Sequence, residues 1–170
     1  VTATDVDGDV LTFMKESEPA HGTVLVKADG TYTYTPNENF NGSDSFAVRV
    51  EDGNGGSVTV TVAITVNPVN DAPTLKVDVR NPFRTPEDVP FAGTLPAEDV
   101  DGDVVIFTKE QDPANGSVIV NSNGEFIYTP NPYYFGDDSF KVKIDDGKGG
   151  TEIYTIHINV FPVNNAPFAA

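Results

Sequence analysis

The sequence has no cysteine, few basic residues and no long apolar stretch, and each of these features argues against a class of protein. It contains no cysteine, so disulfides cannot stiffen its domains and another stabilising device, such as a bound metal, is expected. Only 10 Lys and Arg residues stand against 26 Asp and Glu, which gives a formal net charge of −16. Such a charge disfavours nucleic acids and anionic membrane surfaces, because both require basic patches. No stretch approaches the roughly 20 apolar residues of a membrane-spanning helix, so no membrane insertion is expected.

The residue types that are abundant in the sequence favour a chain made of β-strands. Val, Thr, Tyr and Phe are common, and the 15 Gly and 13 Pro residues recur between them as turn formers. This composition predicts an all-β chain with many turns.

The sequence repeats itself at an offset of 94 residues. Thr4–Val10 (TDVDGDV) returns as Glu98–Val104 (EDVDGDV), and the same offset aligns the rest of the first copy without an insertion or deletion. The repeat predicts two tandem domains, residues 1–70 and residues 71–170. They meet at the linker Pro68–Pro73 (PVNDAP), in which two prolines predict a short, semi-rigid connection.

Alternating apolar and polar residues predict the strands of each copy. The clearest alternation covers Ser57–Val66, and a glycine-rich turn separates it from a second alternating run at Asp44–Glu51. A further hairpin is predicted over Thr23–Thr35. With additional strands near Leu75–Val79 and Phe91–Ala97, a complete copy has about seven antiparallel strands, as in a Greek-key sandwich.

The first copy is expected to be the less complete one. The segment Thr74–Thr94 of the second copy has its counterpart before Val1. We therefore expect the first copy to lack its N-terminal strand and to present an unpaired sheet edge, which could recruit a neighbouring chain.

The motif Asp5-Val6-Asp7-Gly8-Asp9, repeated at Asp99–Asp103, carries the clearest chemistry. Carboxylates at alternate positions converge when the backbone turns at the glycine, and hard oxygen ligands of this kind suit Ca²⁺. An EF-hand is disfavoured, because its loop requires glycine at position six, where this chain has Val10 and Val104. The alternative is an ordinary turn in which Asp accepts hydrogen bonds from the backbone.

The order of the motifs resembles the tandem cadherin-like repeats of bacterial RTX-type adhesins and biofilm surface proteins. The matching segments are Asp-x-Asp-Gly, Gly-Thr-Val, DGTYTYTPNENFNGSDSF, VEDGNGG and ITVNPVNDAP. The resemblance implies immunoglobulin-like β-sandwiches, a secreted or cell-surface location, and calcium held where one domain meets the next. The ligands that it implies between the two copies are Asp44, Asn70, Asp71, Asp99, Asp101 and Asp146, with Asp103 as a weaker candidate.

The resemblance also implies two incomplete sites. One comprises Asp5, Asp7 and Asp52 and would face a preceding repeat. The other comprises Glu87, Asp138 and Asn164 and would face a following repeat. Asn165 stands where the first linker has Asp71, which predicts a weaker site at that end.

Two functions remain open at this stage. In the first, calcium stiffens the repeats into an extender whose only partners are adjacent repeats. In the second, the chain binds a polysaccharide or another cadherin-like domain, and Tyr133-Tyr134-Phe135 supplies aromatic surface for stacking on sugars, although the same residues could simply anchor a loop. The histidines His21 and His157 do not align with each other, and no nucleophile–base pair is evident, so no enzyme is expected.

Overall fold

The computed structural model describes residues 1–164. These residues divide into two compact units, unit 1 (Val1–Val69) and unit 2 (from Asn70 onward). Both units consist of strands and turns, so the predicted all-β fold class is confirmed. No helix capable of crossing a membrane occurs within residues 1–164.

Unit 1 is built from two small sheets that enclose an apolar core. Its strands are β1 (Thr12–Lys15), β2 (Gly22–Val26), β3 (Tyr32–Pro36), β4 (Gly42–Glu51) and β5 (Ser57–Val66). One sheet has the order β1-β4-β5 and the other pairs β2 with β3, all antiparallel. Alternate residues of these strands point inward, and they form a core of Phe13, Val24, Phe46, Val48 and Val50.

Unit 2 repeats this arrangement and adds strands to it. Its strands are β6 (Thr74–Leu75), β7 (Phe83–Pro86), β8 (Phe91–Thr94), β9 (Ala97–Glu98), β10 (Ile106–Gln111), β11 (Gly116–Val120), β12 (Glu125–Pro130), β13 (Gly136–Asp145) and β14 (Thr151–Phe161). A four-stranded sheet has the order β10-β13-β14-β7, a three-stranded sheet the order β11-β12-β8, and β6 pairs with β9.

The N-terminal part of unit 2 differs from the predicted strands. The strand expected near Leu75–Val79 is the two-residue β6, and β7 is a strand that the alternation did not predict. β7 pairs with β14 in parallel, unlike the antiparallel arrangement expected throughout. β7 is short and ends at Pro86, a residue that edge strands tolerate. Because the strand is so short and contains proline, the alternation of apolar and polar residues does not predict it.

The two units differ in how far their sheets extend. In the 94-residue register, the described residues of unit 1 provide no counterpart of β6, β7 or β8. The core cluster of unit 1 contains fewer buried residues than that of unit 2.

Candidate metal centre

In unit 2 the Asp99–Asp103 loop brings three carboxylates together. Oδ1 of Asp99 accepts hydrogen bonds from the backbone N–H of Asp101 at 2.9 Å and of Asp103 at 3.2 Å, which folds the loop around that side chain. Gly102 has a φ of 82°, a left-handed conformation that favours glycine. The hydrogen bonding of an Asp turn is thus present, and it directs the neighbouring carboxylates toward one point.

The carboxylates of Asp99, Asp101 and Asp103 offer oxygens that all lie within 4.8 Å of one another. Oδ2 of Asp99 and Oδ2 of Asp103 are buried and have no hydrogen-bond partner among the described residues. Burying a carboxylate oxygen without a partner is costly, and a cation between the oxygens would remove that cost. The donor set, hard anionic oxygens alone, is the one that Ca²⁺ prefers.

The linker residues contact the same region of unit 2. The backbone N–H of Asp71 donates to Oδ2 of Asp101 at 2.9 Å, and Nδ2 of Asn70 donates to Oδ2 of Asp146 at 2.7 Å. Asp146 is buried, and its Oδ1 also accepts from the backbone N–H of Lys148 and of Gly150. The hydrogen bond from Asn70, assisted by those from the backbone, lowers the pKa of Asp146, although burial acts in the opposite direction. Asp146 therefore anchors the linker as an ionised carboxylate.

Lys148 is a member of this site that the sequence reading did not identify. Its Nζ lies 2.5 Å from Oδ1 of Asp103, and the hydrogen bond to that carboxylate raises the pKa of Lys148. The corresponding residue of unit 1 is Asn54, whose Nδ2 donates to Oδ2 of Asp9 at 2.8 Å. The 94-residue alignment already shows this difference, because it pairs the cationic Lys148 of unit 2 with the neutral Asn54 of unit 1.

Unit 1 has a second cluster of carboxylates, and its members differ from those predicted from the sequence. Asp5, Asp9 and Asp52 offer oxygens within 4.8 Å of one another, whereas the sequence reading named Asp7 in place of Asp9. Oδ1 of Asp5 accepts from the backbone N–H of Asp7 at 2.8 Å, and the Asp7 side chain is exposed. In unit 2 the equivalent Asp101 accepts a hydrogen bond from the backbone N–H of Asp71 at 2.9 Å.

Asp44 and Asp138 each lie in a hydrogen-bond network within their own unit. Asp44 accepts from the backbone N–H of Ala20 at 3.0 Å and of His21 at 2.9 Å, and from the Tyr34 hydroxyl at 2.9 Å. Burial would raise the pKa of Asp44, but the hydrogen bonds from the backbone and from Tyr34 outweigh it and lower that pKa. This network explains the position of Asp44 without a metal.

Asp138 repeats the arrangement in unit 2. It accepts from the backbone N–H of Ala114 and of Asn115, both at 3.0 Å, and from the Tyr128 hydroxyl at 2.9 Å. Calcium ligation by Asp44 or Asp138 stays a prediction. The hydrogen bonds that each carboxylate accepts would compete with a calcium ion for the same oxygens.

The remaining predicted ligands lie at the far end of unit 2. Glu87 is buried, and its Oε1 accepts from the backbone N–H of Val163 at 2.9 Å, so that it holds the chain just before the exposed Asn164. Asn165, predicted to weaken the site at this end, lies outside the described residues.

Comparison with known protein families agrees with a tandem β-sandwich whose loops carry acidic clusters. A model of the bacterial cadherin-like domain matches residues 1–68, and a model of the bacterial Ig domain matches residues 70–159, more than half of the chain. The chain therefore belongs to the bacterial Ig domain family, and its first unit matches the model of the bacterial cadherin-like domain. The predicted resemblance to tandem cadherin-like repeats is confirmed. No curated protein sequence matches the chain.

Several solved structures are similar to this chain at low sequence identity. Protocadherin Gamma B2 extracellular cadherin domains 1-5 match with a TM-score of 0.56 and 17% identity, over 91% of this chain and 32% of that chain. Protocadherin gammaB7 EC3-6 matches with a TM-score of 0.50 and 10% identity, over 94% of this chain and 42% of that chain. An endo-fucoidan hydrolase from glycoside hydrolase family 107 has a TM-score of 0.43 and 23% identity, over 93% of this chain and 24% of that chain.

The two protocadherin matches show the fold and not an activity. The chain spans about a quarter of the length of the fucoidan hydrolase chain that it matches. Cadherin-like domains generally bind calcium, and the two Asp clusters give this chain suitable ligands. Bacterial domains of these two families are typical of surface and extracellular proteins.

Proposed function

We propose that the chain is a calcium-binding, calcium-stiffened spacer of a secreted bacterial surface protein. The observation that carries this proposal is the pair of buried carboxylate oxygens, Oδ2 of Asp99 and Oδ2 of Asp103, which have no partner among the described residues. Binding of a calcium ion by these oxygens and by the Asp101 carboxylate would remove the cost of burying unpaired carboxylate oxygens and would stabilise the loop. The role is structural and not catalytic.

The charge of the unit 2 cluster suits a divalent cation. Asp99, Asp101 and Asp103 carry three negative charges, and Lys148 beside Asp103 contributes one positive charge, so the cluster has a net charge of −2. One Ca²⁺ neutralises this charge. Extracellular modules bind calcium with Kd values of about 10⁻⁴ to 10⁻³ M, and we expect this site to fall in that range.

Isothermal titration of the full chain with calcium tests the proposal. We expect saturable binding, and the double variant Asp99→Asn with Asp103→Asn should lose the unit 2 site while keeping the unit 1 site. Asp112→Asn is the matched control, because Asp112 is an exposed carboxylate paired with Lys109 away from the cluster. Binding that is unaffected by the double variant, or absent from the parent chain, would contradict the proposal.

The hydrogen bonds of the linker residues support the proposed spacer role. Asn70 and Asp71 are hydrogen-bonded to Asp146 and Asp101, so calcium at Asp101 would fix the linker more firmly to unit 2. Small-angle scattering in calcium and in EGTA should then give a narrower distribution of interatomic distances in calcium. Identical profiles in the two buffers would remove the stiffening role while leaving calcium binding itself possible.

Exposed aromatic side chains favour one second candidate, binding to a polysaccharide. Tyr133 and Phe135 are 71% and 60% exposed, and Asp88 holds their loop by accepting from the backbone N–H of Tyr133 at 2.8 Å. Aromatic rings displayed in this way can stack on sugar rings. Sedimentation with insoluble polysaccharide should be lost in Tyr133→Ala with Phe135→Ala and kept in the control Ile119→Ala. No binding by the parent chain would eliminate this candidate.

A further inference from the structure

Each acidic cluster receives a donor side chain from the glycine-rich turn between the two long strands of its unit. In unit 2 the donor is Lys148, in the turn between β13 and β14, whose Nζ lies 2.5 Å from Oδ1 of Asp103. In unit 1 the donor is Asn54, in the turn between β4 and β5, whose Nδ2 donates to Oδ2 of Asp9 at 2.8 Å. The clustered carboxylates repel one another, and in unit 1 the neutral amide of Asn54 offsets part of that repulsion.

Asn54 is followed by Gly55, and this dipeptide is chemically reactive. The backbone nitrogen of the residue after an asparagine can attack the side-chain Cγ, and glycine leaves that nitrogen unhindered because it has no Cβ. Asn54 and Gly55 are both exposed, and a Cβ placed on Gly55 would have no atom within 4 Å. Gly55 also has a φ of 105°, in the region that favours glycine. The turn therefore has the space to close into the succinimide ring that this attack forms.

The other Asn-Gly dipeptides of the chain lie in backbone that is already paired. They are Asn41-Gly42, Asn115-Gly116 and Asn123-Gly124. Gly42 and Gly116 are the first residues of β4 and β11, and both are paired across their sheets. Gly124 is buried, and its backbone N–H donates to the carbonyl oxygen of Asn121 at 3.0 Å. Formation of a succinimide at any of these three sites would first have to break backbone contacts.

We propose that Asn54 is a site of spontaneous deamidation, which removes the hydrogen bond to Asp9 and adds a carboxylate to the unit 1 cluster. The nitrogen of Gly55 gives its proton to solvent and forms a bond to Cγ of Asn54, and the Cγ–Nδ2 bond breaks, so that Nδ2 leaves as ammonia. Water then opens the ring at either carbonyl, returns a proton to the Gly55 nitrogen, and leaves an aspartate or an isoaspartate. The net reaction consumes a water molecule and turns a neutral amide into a carboxylate and an ammonium ion.

The new carboxylate faces Asp9 where the amide donor stood. A hydrogen bond of 2.8 Å is thereby replaced by repulsion between like charges, in a cluster that already contains Asp5 and Asp52. This repulsion loosens the Asp5–Asp9 loop from the turn. Unit 2 is not subject to the same change, because Lys148 carries no amide and keeps its positive charge. The two copies therefore diverge in charge as the chain ages.

Peptide mapping by mass spectrometry tests the proposal on the full chain, stored in mildly alkaline buffer with EGTA. Trypsin separates Asn54 from the other three sites, because Asn54 lies in the peptide Val50–Lys76 and the others lie in Ala28–Arg49 and Glu110–Lys141. We expect Asn54 to lose its amide at least about fivefold faster than the other three, since these must first break backbone pairing. In urea, where the fold no longer distinguishes the four sites, their rates should converge.

The rates in the folded chain and a matched variant decide the location. Equal rates at all four sites, or an Asn54 that keeps its amide while another site loses it, would overturn the proposal. Asn54→Lys copies unit 2 and should abolish the mass increase in this part of the chain. The same mass increase in Asn54→Lys would assign the reaction to Asn67 or Asn70, which lie in the same tryptic peptide, and would overturn the proposal as well.

Amide hydrogen exchange in EGTA measures what the new charge does. Asn54→Asp supplies the aspartate product, and anion exchange isolates the aged parent chain with both products. In both samples the amides of the Asp5–Asp9 loop should exchange at least about threefold faster than in the fresh parent chain, because an exposed hydrogen bond to a carboxylate is lost. The Asp99–Asp103 loop of unit 2 is the internal control and should be unchanged. Unchanged exchange of the Asp5–Asp9 loop would overturn the proposed loosening, and neither measurement depends on whether the chain binds calcium.

Discussion

Replacing Lys148 with Asn should strengthen calcium binding by unit 2. The ammonium group of Lys148 lies 2.5 Å from Oδ1 of Asp103, within the cluster where the ion is proposed to bind. The same position in unit 1 holds Asn54, whose uncharged side-chain amide donates a hydrogen bond to the Asp9 carboxylate. Lys148→Asn therefore makes the second cluster resemble the first and changes its net charge from −2 to −3.

The size of the effect follows from the distances. The carboxylate oxygens of the cluster lie within 4.8 Å of one another, so an ion among them would lie about 5 Å from the ammonium group. Charges of +1 and +2 at this separation in a water-like medium repel enough to raise Kd on the order of tenfold. The Lys148 side chain is 62% exposed and can turn toward solvent, and salt screens the charge. We therefore expect Kd to fall by about three- to tenfold in Lys148→Asn.

Calcium titration by calorimetry at low and at physiological ionic strength measures this change. The gain should be larger at low salt, and the reciprocal variant Asn54→Lys should weaken the unit 1 site by a similar factor. Lys109→Asn removes an equal charge from the exposed pair with Asp112 and serves as the control. A Kd that is unchanged or raised in Lys148→Asn would refute the reasoning, because the ion would then not lie among these carboxylates.

Three further predictions concern the framework of unit 2. Asp138→Ala strands the Tyr128 hydroxyl and two backbone N–H groups, and should lower the free energy of unfolding by about 1–3 kcal/mol in urea titrations; a loss below about 0.5 kcal/mol would show that the network is not needed. Gly93→Ala places a Cβ 2.7 Å from the Phe126 ring and should cost about 1–3 kcal/mol, a prediction that fails if the variant is as stable as the parent. Burial and the hydrogen bond to Asp138 raise the pKa of Tyr128, so its contribution is complete below the ordinary tyrosine pKa of about 10 and is lost as the pH rises toward the folded-state pKa. Alkaline unfolding curves should therefore be less steep in Tyr128→Phe, and equal slopes would contradict this.

The sequence predicts the parts of the fold that depend on local alternation. β4 and β5 appear where Asp44–Glu51 and Ser57–Val66 alternate, because a half-buried strand must place every second residue in the core. β7 could not be found in this way. Its four residues end in proline, and its place is set by pairing with β14, a contact with a strand more than 70 residues later in the chain.

The sequence predicted where the two acidic clusters lie, but it did not predict which side chains belong to each cluster. The alternating Asp pattern and its glycine predicted convergence, since the loop must turn around the first carboxylate. In unit 2 the middle Asp101 accepts a hydrogen bond from the backbone N–H of Asp71, a contact from outside the loop that the motif itself does not predict. Lys148 enters the site from a separate turn, and only the comparison of the two copies draws attention to it.

The hydrogen bonds of Asp44 depend on contacts between distant residues. A carboxylate at the start of a strand gives no local sign that the backbone of Ala20 and His21 will donate to it from 24 and 23 residues away. The sequence therefore predicted Asp44 as a calcium ligand, which stays a prediction, and its hydrogen-bond partners became evident only from the structure.

Thermal unfolding of the full chain in calcium and in EGTA, alongside the Asp99→Asn, Asp103→Asn double variant, tests the central claim most directly. Calcium at about 100 times Kd should stabilise the folded state by about 2.7 kcal/mol per site. The parent chain should therefore unfold at a higher temperature in calcium, and the double variant should lose most of the shift that belongs to unit 2. Superimposable unfolding curves of the parent chain in calcium and in EGTA would contradict the account, because the carboxylates would then be turn residues that bind no ion.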